Sequence, residues 1–428
     1  MERKLMANLY DWKISKHRKP LVLWGARQTG KTWLMREFGK RYFDSVVYIS
    51  FYNNKKISQI FETDYDIKRI INALEIELHV NIVPGVTLLI FDEVQYAPKV
   101  LESLKYFCED AADYAVVCAG SLLGVALHEG VSFPVGKVDE LHLYPMSFEE
   151  FLCANGEERL ADYCKDYHMP EVTDFSERYV KLLKAYYIVG GMPEVVYSFY
   201  EHRDFAKVMK LQQNILVKYR AKIAKSNTER RAGLINKCYN SIPKQLNSEL
   251  KKFKYSRVEK GQTKRKYGTS VDWLLEAGYV IPSYNAINAS VPLEESCNKS
   301  QFKLYLNDVG LLTCIYGFDT KRHVLNNVVK GNVRTAIYEN AVAQSLVACG
   351  YNIYYHKPDD NHEVEFIIEK DNEAIPIEAK AGSRVSVSMS NYITKFKPGT
   401  AYKLTEEIGQ QSEDTQIMPY YGVVFALS

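Results

Sequence analysis

An α/β fold class is predicted: a parallel sheet covered by helices, then a helical region, then a second α/β unit. Three observations predict it. Short apolar runs at 21–24, 46–49, 88–91, 115–118 and 141–144 alternate with helix-like stretches through the first third of the chain, as expected of parallel strands buried on both faces. From residue 147 the periodicity turns helical. Strand-like runs return at 302–306, 352–356, 364–368 and 375–379, with a helical pattern over 334–348 before the second of these. The chain has 428 residues, too many for one typical core, and the boundaries read from these changes are 1–146, 147–285 and 286–428.

Composition narrows the class. The chain is 46% hydrophobic and 25% charged, with no apolar stretch near the roughly 18 residues that would span a bilayer, so no membrane segment is expected. The first residues, MERKLMANLYDWKISKHRK, are charged throughout and lack the apolar core of a secretory signal, which points to the cytoplasm. Eight scattered cysteines form no CxxC pair, so reduced thiols are expected and neither a zinc site nor a disulfide framework. The nine histidines show no paired metal spacing, and only His362 lies near acids, Glu363 and Glu365.

The strongest motif follows the first apolar run. Leu21-Val-Leu-Trp leads directly into Gly25-Ala26-Arg27-Gln28-Thr29-Gly30-Lys31-Thr32, and a helical pattern follows. Strand, GxxxxGK[ST] and helix in that order form a phosphate cradle: the glycines allow the tight turn, loop N–H groups supply donors, Lys31 reaches the β- and γ-phosphates, and Thr32 offers a hydroxyl to Mg²⁺. ATP with Mg²⁺ is the expected ligand, and Arg27 is a second phosphate contact or an exposed loop cation. The run 88–91 ends in Asp92-Glu93. A carboxylate at a strand tip can hold Mg²⁺ through its water shell, and its neighbour can deprotonate the attacking water, so Asp92 joins the cofactor set and Glu93 is the expected base. The strand at 115–118 ends in Ala119-Gly120-Ser121, which makes Ser121 a candidate γ-phosphate sensor at the same sheet edge.

Downstream, Ser147-Phe-Glu-Glu150 has the form of a helix capping box. Helical patterns at 178–189 and 207–225 flank a turn at 190–193, and a helix at about 270–277 stops at Gly278 before a short strand at 279–282. A helix followed by a hairpin reads as a winged helix. Net charge, +3 overall, divides unevenly: residues 218–266 hold sixteen Lys plus Arg against three acids, a local +13, which leaves −10 elsewhere. Cations mixed with aromatics, as in Lys251-Lys-Phe-Lys-Tyr-Ser-Arg257 and Lys264-Arg-Lys-Tyr267, suit DNA or another nucleic acid. The alternative is a basic surface that pairs with the acidic remainder or a second subunit.

At the C-terminal end, a strand period of two puts Glu378 and Lys380 on one face, opposite Ile375, Ile377 and Ala379. The same period places Glu365 opposite Val364, Phe366 and Ile368. Paired as hairpin neighbours, Glu365 and Glu378 would share a second divalent metal with Lys380 beside them, and Glu339 on the preceding helix would add a carboxylate. The bland reading is a same-face ion pair in a domain without that chemistry.

Residues 25–32, Asp92-Glu93, Gly120-Ser121, Tyr144-Pro-Met-Ser-Phe-Glu-Glu-Phe151, Gly190-Gly-Met-Pro-Glu194, Leu306-Asn-Asp-Val-Gly310 and Ile377-Glu-Ala-Lys380 resemble the prokaryotic AAA-type ATP-binding proteins that carry a C-terminal domain of unknown function. The resemblance covers nearly the whole chain. It implies an AAA-like P-loop core in which one strand lies between those of the two Walker motifs, then a helical and winged-helix region, then a restriction-endonuclease-like domain. The family pattern has Arg where Val135-Gly-Lys137 stands, an acid near Lys222, and Asp where Glu365 stands, so no arginine finger is assigned and the metal geometry of the last domain differs. Three functions remain: an ATPase switch coupled to DNA, an ATP-dependent nuclease, and a slow ATP-gated interaction module with oligomerisation left open.

Overall fold

The computed structural model describes residues 1–128, 132–166, 175–380, 384–406 and 415–427. It divides into two compact units, one of Glu2–Tyr144 with Glu276–Gly278, the other of Met1, Pro145–Leu275 and Tyr279–Ser428. Among the described residues no helix is long and apolar enough to cross a membrane, and all eight cysteines are unpaired.

The N-terminal unit is built on strands β1 (Leu21–Trp24), β2 (Ser45–Ser50), β3 (Thr87–Asp92), β4 (Ala115–Ala119) and β5 (Asp139–His142). They form one parallel sheet in the order β2-β3-β4-β1-β5. The near-continuous apolar runs are explained by burial on both faces. Leu21, Leu23, Leu88, Ile90 and Val117 pack on one side with Leu34 and Phe38 of helix Lys31–Tyr42. Their neighbours Val22, Leu89, Phe91, Val116 and Cys118 pack on the other with Ile70 and Leu74 of helix Ile67–Leu78 and Leu101 and Leu104 of helix Pro98–Asp110. At roughly 1.5–3 kcal/mol for each large side chain withdrawn from water, these two layers fix the register of every strand. β4 lies between β1 and β3, so the strand tips that carry residues 25–32, Asp92 and Ser121 meet at one carboxyl edge.

The C-terminal unit opens with the helices Phe148–Ala154, Glu158–Asp166, Ser176–Val189, Pro193–His202, Phe205–Lys225 and Glu229–Leu246. The first carries the capping box read from sequence: Glu150 N–H donates to Ser147 Oγ at 3.2 Å and Ser147 N–H to Glu150 Oε2 at 3.0 Å. Helix Lys264–Glu276 then leads into seven strands: β6 (Val280–Asn285), β7 (Asn298–Leu306), β8 (Tyr354–His356), β9 (Val364–Lys370), β10 (Glu373–Glu378), β11 (Tyr402–Thr405) and β12 (Gln416–Pro419). Their order is β12-β11-β10-β9-β8-β6-β7, a mixed sheet.

Two readings from sequence change here. The hairpin that suggested a winged helix, β6 with β7, is the edge of this large sheet, because β6 also pairs in parallel with β8. The boundary at 285/286 therefore falls at the end of a strand hydrogen-bonded to both its neighbours, and the structure groups both sides of it in one unit. The motifs at 190–194 and 306–310 meet in a buried joint. Asp308 Oδ2 accepts the Gly191 N–H at 2.6 Å while Asp308 Oδ1 caps helix Val309–Tyr316 through the Leu311 N–H at 2.9 Å. A Cβ on Gly310 would lie 2.4 Å from Val189 O, so only glycine fits. Burial pushes the Asp308 carboxyl up to about 6, with the Gly191 and Leu311 amides pulling it back.

Candidate nucleotide and metal sites

The loop after β1 is shaped by its backbone. Gly25 and Gly30 have φ of +146° and +97°, and Gln28 adopts a left-handed +68°. A Cβ at Gly25 would meet Leu143 O at 2.3 Å. Thr29 Oγ1 donates to Ala26 O at 2.9 Å across the loop, and the Arg3 guanidinium donates to Thr29 O at 2.9 Å and to Tyr144 O at 2.8 Å.

Lys31, buried at the start of its helix, donates to Gly25 O at 2.6 Å and Ala26 O at 2.9 Å. Burial lowers its ammonium to about 8; Glu93 and Asp92 raise it, and the Arg27 guanidinium pushes it further down. A polyanion beside this buried ammonium would favour its charged form, as at a phosphate site.

Asp92, 5% exposed, is surrounded by neutral donors: Thr32 Oγ1 at 2.7 Å, Tyr48 OH at 2.9 Å and the Glu93 N–H at 2.9 Å. Tyr48 lies on β2, and the Arg36 guanidinium stands 3.7 Å from its ring centroid. A hydroxyl and a carboxylate at hydrogen-bonding distance, with no ammonium among the described residues bonded to either, are a donor set that suits Mg²⁺; Thr32 and Asp92 would hold the ion.

Glu93 has a left-handed φ of +56°, uncommon for a non-glycine residue. The turn swings its carboxylate away from Asp92 toward Gln95 and Ser121. Gln95 Nε2 and Ser121 Oγ both donate to Glu93 Oε2, the second at 3.3 Å. Gly120 makes room for this: a Cβ there would lie 2.2 Å from Gln95 Oε1. Gln95 and Tyr48 were not singled out from sequence. Gln95 follows the acid pair by two residues, which is the one local signal that could have found it.

Residues 17–152 match the model of an AAA domain. The N-terminal unit is an AAA-type ATPase core. The strand between the two Walker strands, expected from the resemblance, is β4. Residues 180–322 and 334–421 match two domains of unknown function, DUF8612 and DUF4143; the first spans the helical region from residue 180 onward together with β6 and β7. No curated protein matches the chain. Among solved structures it is similar to a Walker-type ATPase of Pyrococcus abyssi, at 13% identity and a TM-score of 0.46 over 74% of this chain and 95% of that one. A STAND protein with a tetratricopeptide-repeat sensor from Pyrococcus horikoshii gives 15% and 0.31 over 81% of this chain, which spans 45% of that longer one. Cdc6p from Pyrobaculum aerophilum gives 13% and 0.25 over 76% and 93%.

The position expected to supply an arginine is occupied differently. Val135 is 82% exposed and Lys137 is ion-paired to Glu109 at 2.7 Å.

The C-terminal carboxylates are brought together but not as metal ligands. β9 and β10 are antiparallel neighbours with Phe366 opposite Ile377, which puts Glu365 beside Glu378 along the hairpin. Both faces of these strands are covered, so the acids are buried: Glu339 1%, Glu365 2% and Glu378 0% exposed. Each faces an ammonium. Glu378 pairs with Lys403 at 3.1 Å, Glu365 with Lys380 at 3.2 Å, Glu339 with Lys251 and, at 3.7 Å, Lys303, while Glu363 pairs with Lys303 and, at 3.0 Å, Lys357. Lys380 also donates to Glu363 O at 2.7 Å, and Glu365 Oε2 accepts the Ala379 N–H at 3.1 Å. Burial raises the Glu365 carboxyl, Lys380 lowers it, and Glu339 and Glu363 raise it again. Among the described residues no three His, Cys, Asp or Glu are arranged to hold a metal. The second divalent cation expected from Glu339, Glu365 and Glu378 does not fit, because lysines already supply the positive charge.

Proposed function

We propose that the chain is a Mg²⁺-dependent ATP-driven switch in which Glu93 activates the attacking water and turnover is coupled to DNA held on the basic face of the C-terminal unit. The observation that carries the first part is the pair Asp92 and Glu93, adjacent in sequence yet turned apart, each hydrogen-bonded to neutral donors. Lys31 and Arg27 would bind the β- and γ-phosphates, the loop N–H groups would orient them, and Thr32 with Asp92 would hold Mg²⁺. When bound, the ion neutralises charge that develops on the phosphate oxygens. Glu93 would take the proton of the water, with Gln95 and Ser121 fixing its direction.

Coupling to DNA is supported by exposure. Of the sixteen Lys and Arg between 218 and 266, eleven are exposed, among them Lys218, Arg220, Lys244, Arg257, Lys264 and Arg265. Solvated cations of this kind bind phosphates by releasing counterions. Lys222 and Lys251 belong elsewhere: the first is buried and the second is paired with Glu339.

The test is ATP turnover by the full chain with and without duplex DNA, beside Lys31→Ala and Glu93→Gln. The expected result is DNA-stimulated turnover, abolished by either change, with nucleotide binding lost only in Lys31→Ala. Turnover that survives Glu93→Gln removes Glu93 as the base, and turnover indifferent to DNA at low salt removes the coupling.

A further inference from the structure

The basic run at 251–254 lies along the edge of the seven-stranded sheet. Phe253 N–H donates to Phe302 O of β7 at 2.8 Å, and the two rings stack with centroids 5.5 Å apart and planes 19° from parallel. With Phe253 buried, Lys252 and Lys254 on either side of it line a cavity of about 270 Å³. Its other walls include Gln301 and Lys303 of β7, Tyr355 of β8, Lys357 and Glu363.

The cavity's charge is unbalanced. Five lysines (251, 252, 254, 303 and 357) line it against three acids, Asp359, Asp360 and Glu363, and Glu339 behind the wall also pairs with Lys251 and Lys303, which leaves Lys252 and Lys254 facing the space. Glu363 is already shared by Lys303 and Lys357, and Asp359 is engaged by the His362 ring at 2.9 Å and by the Asn361 and His362 N–H groups. Among the described residues, no carboxylate is hydrogen-bonded or ion-paired to Lys252 or Lys254. The Lys252 ammonium is lowered by burial and then by Lys254, with Asp360 acting the other way. Burial is likewise the largest cause for Lys31 in the nucleotide loop, and an anion beside either ammonium would favour its charged form.

We propose that this cavity takes one backbone phosphate of bound DNA, gripped by Lys252 and Lys254. Ammonium groups are compact point charges without the forked geometry of guanidinium, so they suit a phosphate oxygen approached from several directions. Exposed Arg257 donates to the carbonyl of Leu250 in the cavity wall at 3.0 Å and adds a cation beside it. The assignment rests on the DNA reading above and names where one phosphate is held.

The experiment is fluorescence anisotropy of a short labelled DNA duplex with the full chain, over a range of NaCl concentrations. It compares wild type, Lys252→Ala/Lys254→Ala, and Lys264→Ala/Arg265→Ala on a separate part of the basic face. Thermal melting with inorganic phosphate runs in parallel. The cavity pair is expected to lose at least about tenfold in affinity and to lower the log–log salt slope by about 1. Inorganic phosphate is expected to raise the melting temperature of wild type and not of that variant. If the cavity pair binds DNA as wild type does while the helix pair is weakened, the phosphate site is overturned and the DNA reading stands. If wild type binds no DNA at low salt but phosphate still protects it through Lys252 and Lys254, the source is a small phosphate and the DNA assignment falls. Absence of both effects overturns both.

Discussion

The two units each hold buried carboxylates beside buried lysines, and the difference lies in who neutralises whom. In the ATPase core, among the described residues, Asp92 and Glu93 accept from hydroxyl, amide and backbone N–H donors, and Lys31 donates to carbonyl oxygens. Charges of both signs are left for a ligand to satisfy. In the C-terminal sheet every candidate acid is tied to an ammonium. Both constellations look alike in sequence as acids near a lysine; the partners decide which one can accept a metal and a phosphate and which one is closed.

That comparison can be broken at its strongest point first. Glu93→Gln is expected to cut turnover by about 10²–10⁴, the usual worth of a positioned base, while a fluorescent ATP analogue binds within about threefold of wild type. In the C-terminal sheet the same kind of change is a stability matter. Lys403→Met strands the 0%-exposed Glu378 carboxylate and is expected to cost about 3–5 kcal/mol by denaturant unfolding. Adding Glu378→Leu to it should recover much of that loss, and a double variant no more stable than the single would show that the pair is not the closed unit described.

A smaller effect separates the lysines. Because the folded Lys31 ammonium is depressed to about 8, it is charged below that pH and neutral above it, and phosphate binding requires the charged form. ATP affinity measured by calorimetry should therefore fall as pH rises through about 8, by up to about tenfold per unit, with proton uptake on binding. An affinity flat across that range would contradict the buried, cation-crowded setting of Lys31. Least of all, Ser121→Ala removes a long 3.3 Å bond to Glu93, and a loss of about three- to tenfold in kcat with unchanged KM is expected.

The nucleotide loop was legible because its chemistry is local. Strand, glycines, lysine and helix follow one another within a dozen residues, and the acid pair ends an apolar run that can only be a buried strand. Tyr48 was hidden because its contact with Asp92 depends on β2 lying beside β3, with Ser50 opposite Asp92, and pairing order is not written in either strand. In the last sheet, alternation placed Glu365 and Glu378 opposite their apolar neighbours, and they are. It was silent on what covers that other face. Lys303 comes from β7 and Lys403 from β11, and Tyr402–Thr405, a four-residue strand alternating Tyr and Leu with Lys and Thr, gave too short a pattern to read. The basic segment shows the same limit: its charge was plain, but the diversion of Lys251 into the carboxylates required the sheet to be present.

The place of β6 has a practical meaning for anyone who divides this chain. A fragment beginning at residue 286 would lack the strand between β7 and β8, and so would offer two open sheet edges where the intact protein has a filled position. It would also leave Asp308 without the Gly191 amide it holds across 117 residues. Such a piece should aggregate through its bare strands, whereas a cut near Pro145, where the two units part, keeps each sheet whole.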